Sequence, residues 1–270
     1  MKSKTLSLIC LLLLPLALNA ARVDTLMVKS PSMNKEVQVL VVVPHVVLEK
    51  PVHCPVIYLL HGYSGNALSW INLKPNLPEI ADEKGIMIVC PDGQNSWYWD
   101  SPLDPDSRYE TFVSQELIDF IDTNYPTIPH REARAITGLS MGGHGGMWLS
   151  IRHKDVFGAG GSMSGGLDIR PFPKNWLMAK QLGEYGTNKQ VWEEHTAIHL
   201  IEGLKDGELA IIIDCGVDDF FYPVNLEFHQ CLLEKKIAHD FISRPGNHDR
   251  KYWNNAVDYQ ILYFYKFFSK

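Results

Sequence analysis

The sequence predicts an α/β fold in which a mostly parallel sheet carries helices on both faces. Three observations support this: short apolar runs that lack polar alternation, helical stretches between these runs, and turn residues at their boundaries. Strands that are apolar along their whole length are typical of sheets buried on both faces. Strands that alternate with helices favour parallel pairing, because a crossover helix lets the next strand run in the same direction.

The predicted elements follow in chain order. Apolar runs are predicted as strands at 37–43, 56–60, 86–90, 133–137, 159–162, 209–214 and 239–242. Helices are predicted at 109–124, 145–152, 226–235 and 254–268, after an antiparallel hairpin at 23–43. Because sites in parallel sheets form beyond the carboxyl ends of the strands, the residues after each strand are expected to share one edge. The segment 167–207 has no strand character and is expected to overhang that edge.

The beginning of the chain has the pattern of a secretory signal peptide. Two lysines among the first residues precede an apolar run at 6–18, and small residues follow it. The run is shorter than the roughly 20 apolar residues that span a bilayer, so cleavage is expected rather than stable membrane insertion. We predict a signal peptide at 1–20, a single domain at 21–270, and a secreted or periplasmic location.

The net charge and the positions of the cysteines limit which substrates, partners and metal ions the chain is expected to bind. A formal net charge of -6 without a basic stripe argues against nucleic acid and predicts a neutral or weakly charged substrate. Cys54, Cys90, Cys215 and Cys231 stand in or beside apolar elements, so they are interpreted as free thiols that pack as small hydrophobes. No C-x-x-C pair is present, so no metal site is predicted, and no cofactor is expected. The sequence leaves the oligomeric state open.

A serine between glycines stands where the predicted strand 133–137 meets the following helix. Gly138, Ser140 and Gly142 form a G-x-S-x-G pattern. In a nucleophile elbow, this pattern exposes the serine on a strained strand-to-helix turn, and the glycines leave room for neighbouring segments. Ser140 is therefore the candidate nucleophile.

A serine hydroxyl needs a base that removes its proton as it attacks. Of the 11 histidines, His248 is favoured because it lies in a turn-rich loop at 244–249, between the last strand and the terminal helix. His144 belongs to the helix that leaves the elbow and is expected to point elsewhere. His61 is expected to stabilise its own glycine-rich turn.

The imidazole in turn needs a buried carboxylate near the end of a strand, which holds it in the correct tautomer. Asp214, Asp218 and Asp219 are the candidates. Asp214 is interpreted as structural. Spacing alone does not decide whether Asp218 or Asp219 is the carboxylate that orients the imidazole.

An oxyanion hole needs two backbone N–H groups aimed at the developing negative charge. Met141, the residue after the nucleophile, is expected to supply one of them. The second is assigned to Tyr63, in the glycine-rich turn that follows the strand 56–60.

With these residues in place, the chain resembles the esterase D family of α/β-hydrolases, which includes S-formylglutathione hydrolases, tributyrin esterases, feruloyl and acetyl esterase domains and mycolyltransferases. The resemblance rests on residues 59–65, 138–143, 214–220, 246–249 and 252–253, and it covers nearly the whole chain after the leader. It implies an α/β-hydrolase fold and a Ser-His-Asp triad. The family's acid stands three residues after the glycine of its motif, which is Gly216 here; this selects Asp219, with Asp218 as the alternative. The tryptophan of the family's histidine motif is delayed to Trp253.

The function expected from this set is that of a secreted serine carboxylesterase acting on short-chain acyl or hydroxycinnamoyl (feruloyl or acetyl) esters, including esters on carbohydrates. Trp97 and Trp99 follow the strand 86–90 and are interpreted either as a stacking wall for the substrate or as a rim packed against the insertion. The alternatives are a secreted serine acyltransferase and a non-catalytic carbohydrate-binding protein on the same fold.

Overall fold

A computed structural model describes residues 20–270. The predicted signal peptide at 1–20 lies outside these described residues, apart from its last position. The strands are β1 (Arg22–Ser30), β2 (Lys35–Val43), β3 (Val56–Leu60), β4 (Met87–Pro91), β5 (Arg134–Gly138), β6 (Ala159–Met163), β7 (Ala210–Gly216) and β8 (Asp240–Arg244). They form one eight-stranded sheet in the order β1-β2-β4-β3-β5-β6-β7-β8.

The sheet is mostly parallel, and its antiparallel part lies at one edge. β1 pairs with β2, and β2 with β4, in antiparallel register. The remaining neighbours, from β4 across to β8, all pair in parallel. The carboxyl ends of six strands therefore meet at the same edge, which fixes where a site can form.

The helices cover both faces of this sheet. They are α1 (His45–Glu49), α2 (Ser69–Leu73), α3 (Leu77–Lys84), α4 (Tyr109–Thr111), α5 (Leu117–Asn124), α6 (Met141–Arg152), α7 (Met178–Leu182), α8 (Lys189–Glu194), α9 (Ala197–Leu200), α10 (Tyr222–Glu234) and α11 (Arg250–Phe268). A π-helical turn, Phe112–Glu116, joins α4 to α5. Each face of the sheet has its own cluster of buried side chains, so the central strands are apolar on both sides.

The α/β prediction is confirmed, and the ends of the seven predicted strands coincide with the observed ones to within two residues. Helix α6 begins at Met141, four residues before the predicted start. The glycines in its first turns are poor helix formers, so the sequence pattern predicts a later start. They also allow the helix to approach neighbouring backbone closely. The segment 167–207 contains no strand, as expected, and its regular structure consists of short helices.

Two further findings bear on the sequence predictions. The four cysteines after the leader are free in the described part of the chain, and three of them are buried. Within residues 20–270, no helix combines the length and the hydrophobicity that crossing a membrane requires.

Candidate active site

The sharp turn between β5 and α6 carries Ser140. The residue has φ 56° and ψ -116°, a left-handed conformation that side chains rarely adopt. The turn is fixed to the neighbouring strand because the Ser140 N–H donates to the carbonyl of Met163 across 2.9 Å. The strain is therefore held in place by the sheet, and Ser140 stays partly exposed at its carboxyl edge.

The glycines of the turn are needed because backbone approaches them closely. A Cβ atom on Gly138 would lie 2.5 Å from the carbonyl oxygen of Leu60. On Gly142, it would lie 2.5 Å from the same oxygen and 2.6 Å from that of His61. The G-x-S-x-G pattern thus reflects the packing of the elbow against the end of β3.

His248 reaches Ser140 from the loop between β8 and α11. Its Nε2 atom lies 2.8 Å from Ser140 Oγ. Its Nδ1 atom lies 2.8 Å and 3.0 Å from the two carboxylate oxygens of Asp219. With the proton on Nδ1, the imidazole donates to Asp219 and leaves Nε2 free to accept from the serine hydroxyl.

The loop after β7 holds the carboxylate that faces His248. Asp219 is buried, its side chain being 0% exposed, and it also accepts the N–H of Phe221 across 2.8 Å. The neighbouring Asp218 is exposed, and its backbone N–H donates to the carbonyl of Gly246. The adjacent aspartates therefore face in different directions, and Asp219 is the one that contacts the imidazole.

Asp214 lies deeper, at the centre of a separate ion pair. Arg244 donates to both of its oxygens, at 2.7 Å and 3.0 Å, and the Tyr252 hydroxyl donates to one of them. Burial raises the pKa of the Asp214 carboxyl above its ordinary value, against the opposing effect of Tyr252 and Arg244. The network joins β7 to β8 and α11 on either side of the loop that carries His248.

Two backbone N–H groups lie beside Ser140. Tyr63 lines the same cavity as Ser140, and a Cβ atom on the preceding Gly62 would lie 3.4 Å from Ser140 Cβ. Met141 is the first residue of α6. Among the hydrogen bonds of residues 20–270, none is donated by the N–H of Tyr63 or of Met141. In the described structure, neither N–H group is therefore paired with a protein acceptor.

The turn that carries Tyr63 is held by one side chain directly after β3 and by one from the loop after β4. His61 is buried, and its Nε2 atom accepts the N–H of Gly93 across 2.8 Å. Asn95 accepts the N–H of Ser64 across 2.7 Å. His61 therefore supports the loop, as its sequence context predicts.

The interpretation of Trp97 and Trp99 as a stacking wall is wrong. Their side chains are 1% and 0% exposed, and their rings stack on each other with centroids 5.6 Å apart. Trp99 also donates its indole N–H to His144. The alternative interpretation, a packed rim, describes them better, because the segment 167–207 covers them with Trp176.

Other aromatic residues line the cavity in front of Ser140. This cavity has a volume of about 510 Å³. Its large side chains are Tyr63, Trp176, Phe220 and Trp253. Trp176 stacks on Phe220, with centroids 5.7 Å apart, and Phe220 packs on His248 at 4.3 Å.

The sequence alone does not single out Trp176, Phe220 and Trp253 as cavity residues. The sequence signals for them were the tryptophan-rich composition of 167–207, Phe220 directly after Asp219, and Trp253 five residues after His248. No cluster of three or more side chains suited to a metal ion occurs within residues 20–270.

The sheet order, the strained serine turn and the histidine loop at the carboxyl edge define an α/β-hydrolase fold. The profile of the family described as "Putative esterase" matches residues 30–263, and the chain belongs to this family. It is accordingly a carboxylic ester hydrolase.

Two curated relatives and one solved structure illustrate the relationship. An acetyl esterase of Caldicellulosiruptor saccharolyticus is 27% identical over 213 residues, which cover 74% of this chain and 79% of the relative. An S-formylglutathione hydrolase of Bos taurus is 28% identical over 228 residues, covering 74% and 78% of the two chains. The structure of a ferulic acid esterase superposes with a TM-score of 0.80 at 27% identity, covering 92% of this chain and 98% of that one.

Proposed function

We propose that residues 21–270 form one catalytic domain of an exported serine carboxylesterase, with Ser140 as nucleophile, His248 as base and Asp219 as the orienting carboxylate. One observation carries the proposal: the imidazole of His248 lies within hydrogen-bond distance of both Ser140 Oγ and the Asp219 carboxylate. A serine activated in this way attacks acyl carbonyls.

The reaction runs in two halves. Ser140 Oγ bonds to the ester carbonyl carbon while its proton passes to His248 Nε2. The tetrahedral intermediate then collapses, the bond to the alcohol oxygen breaks, and the same proton leaves with the alcohol. A water molecule repeats the sequence on the acyl-enzyme and releases the acid and free Ser140.

The oxyanion of each intermediate would be held by the N–H groups of Tyr63 and Met141. Their freedom from protein acceptors in the described structure supports this assignment. Donors that are already in place where charge develops stabilise the transition state more than the ground state. Asp219 would stabilise the imidazolium that forms and keep the proton on Nδ1 in the resting enzyme.

We further propose short-chain acyl and hydroxycinnamoyl esters, including esters on carbohydrates, as the substrate class. The aromatic lining formed by Trp176, Phe220 and Trp253 supports this proposal, because flat rings suit sugar or cinnamoyl faces. The names of two relatives, an acetyl esterase and a ferulic acid esterase, point the same way. Export is proposed from the leader pattern at 1–20 alone.

The first experiment measures hydrolysis of acetyl, butyryl and feruloyl esters by residues 21–270, beside Ser140→Ala. We expect the variant to lose about four to six orders of magnitude in kcat on every ester that the parent cleaves. Ser164→Ala, at the end of the neighbouring strand β6, serves as the matched control. A loss below tenfold in Ser140→Ala, or an equal loss in both variants, would contradict the assignment.

A second experiment tests the substrate class. Trp176→Ala should lower the ratio of feruloyl to acetyl kcat/KM by about fivefold or more, because an aromatic contact is worth about 1 kcal/mol beyond its buried area. Leu177→Ala removes the adjacent exposed side chain and is the control. Product analysis with added acceptor sugars distinguishes hydrolysis from acyl transfer: free acid as the main product supports the esterase.

A further inference from the structure

The cavity in front of Ser140 has an arginine at its mouth. Arg250, the first residue of α11, lines it together with the aromatic residues and His248. No carboxylate side chain lines this cavity among the described residues. The proposed reaction gives Arg250 no role, since a neutral ester needs no cation at the rim.

The guanidinium of Arg250 is largely unused by the protein. Its Nη2 atom donates to the carbonyl of Asn72 across 2.9 Å. Within residues 20–270 it makes no other side-chain hydrogen bond and no salt bridge. A guanidinium carries five N–H groups in a planar fork that matches a carboxylate, so most of its donors remain available.

The carboxylates beside His248 and along α11 have other partners in the described structure. Asp219 is buried against His248, and Asp258 pairs with Lys74 across 2.7 Å. Asp249 accepts the N–H of Tyr252 at the start of α11, and it lines a different cavity, on the other side of the histidine loop. The charge that faces the substrate at this rim is therefore positive.

We propose that Arg250 binds a carboxylate on the substrate, so that the preferred ester is an anion. This inference rests on the proposed esterase function and deepens it. The carboxylate belongs either to the alcohol part, as in an acidic sugar, or to the acyl part, as in the half-ester of a dicarboxylic acid. Because His248 must reach the leaving oxygen and Arg250 follows it by two residues, we expect the carboxylate on the alcohol part.

Matched ester pairs separate these two sources. 3-Carboxyphenyl acetate against phenyl acetate places the charge on the alcohol, and phenyl hemisuccinate against phenyl butyrate places it on the acyl group. For each pair, the ratio of anionic to neutral kcat/KM is measured in the parent and in Arg250→Gln. Lys251→Gln removes the same charge one residue away, on the side of the other cavity.

Arg250→Gln should lower the ratio by about five- to tenfold in at least one pair, since a guanidinium that pairs with a carboxylate through two parallel hydrogen bonds exceeds the usual surface ion pair. Lys251→Gln should change it by less than about twofold. About 0.5 M salt should reduce the preference of the parent and leave that of Arg250→Gln unaffected. Equal ratios in the parent and Arg250→Gln for both pairs would overturn the proposal.

A binding measurement keeps this test separate from the proposed function. Calorimetry with 3-hydroxybenzoate, the carboxylate-bearing product, is run on Ser140→Ala and on the double variant with Arg250→Gln. Weaker binding by about fivefold or more in the double variant supports a carboxylate site even if no ester is hydrolysed. Equal binding, together with equal anionic-to-neutral ratios for both ester pairs, would overturn the carboxylate site, and Ser140-dependent hydrolysis of phenyl acetate would then leave the esterase proposal standing.

Discussion

Trp99 donates its indole N–H to Nε2 of His144 across 2.9 Å. The Nδ1 atom of the same imidazole lies 2.9 Å from the carbonyl oxygen of Gly166, so it carries the ring proton and donates it. Burial lowers the pKa of His144 to about 4, which keeps the ring neutral. Although His144 is close to Ser140 in sequence, both of its ring nitrogens have hydrogen-bond partners in the core, so neither is free to contact the serine hydroxyl.

The buried neutral state of His144 predicts acid sensitivity. Its pKa is about 4 in the folded protein and 6.5 when exposed, so between these values the unfolded state binds the extra proton. The free energy of unfolding therefore falls as pH decreases, by about 2 to 3 kcal/mol from this group between about pH 7 and about pH 4.5. Urea unfolding at both values should show a smaller fall in His144→Gln than in the parent.

The control for this experiment is His199→Gln, which changes an exposed histidine on α9. It should keep the acid sensitivity of the parent. Equal falls in the parent and in His144→Gln would show that His144 does not carry the effect.

The contact of Asp219, and not Asp218, with His248 predicts very different losses of activity in the two asparagine variants. Asp219→Asn can donate to His248 and so favours the wrong tautomer, and kcat/KM on phenyl acetate should fall by about four orders of magnitude. Asp218→Asn changes an exposed side chain and should stay within about threefold of the parent. A larger defect in Asp218→Asn would identify that residue as the acid.

The elbow predicts a cost in stability for one added methyl group. Gly142→Ala puts its Cβ atom 2.5 Å from the carbonyl oxygen of Leu60, which belongs to the sheet and cannot move aside easily. The free energy of unfolding should fall by about 3 kcal/mol. Gly203→Ala adds the same methyl group where no atom lies within 4 Å, and it should change stability by less than about 0.5 kcal/mol. Comparable losses in the two variants, measured by urea unfolding, would refute a steric cause.

The buried network of Asp214, Arg244 and Tyr252 predicts a loss of stability that depends on pH. Tyr252→Phe removes a donor from Asp214 and raises the pKa of that carboxyl further above its ordinary value. An acid with a raised folded-state pKa favours folding at low pH and opposes it as pH rises. The variant should thus lose about 2 kcal/mol at about pH 7.5 and less at about pH 5.

The control for this loss is Tyr265→Phe, which changes an exposed tyrosine on the same helix. It should leave the free energy of unfolding nearly unchanged at both pH values. A deficit in Tyr252→Phe that grows on acidification would contradict the role assigned to Asp214.

The sequence predicted the sheet well because its central strands are buried on both faces and leave uninterrupted apolar runs. The serine turn was also predicted correctly, because the close approach of the Leu60 backbone requires glycine at positions 138 and 142. Both signals are local, and each can be read without knowing which distant segment lies opposite.

The features that sequence reasoning missed depend on distant contacts. Trp97 and Trp99 follow a strand at the correct edge, but their rings turn inward because His144 and the segment 167–207 enclose them. Likewise, spacing does not separate Asp218 from Asp219, because only the return of the 244–249 loop decides which carboxylate meets the imidazole. That choice came from the family resemblance, and the geometry of the loop agrees with it.

The free thiols of Cys54, Cys90, Cys215 and Cys231 affect how the protein can be made and labelled. Burial raises the pKa of Cys54 to about 11, so the reactive thiolate is scarce there. Because the described fold contains no cross-link between these sulfurs, it can form without an oxidant or a disulfide isomerase. A reducing bacterial cytosol therefore suits recombinant production, and Cys231, the one half-buried thiol of the four, is the natural attachment point for a maleimide dye.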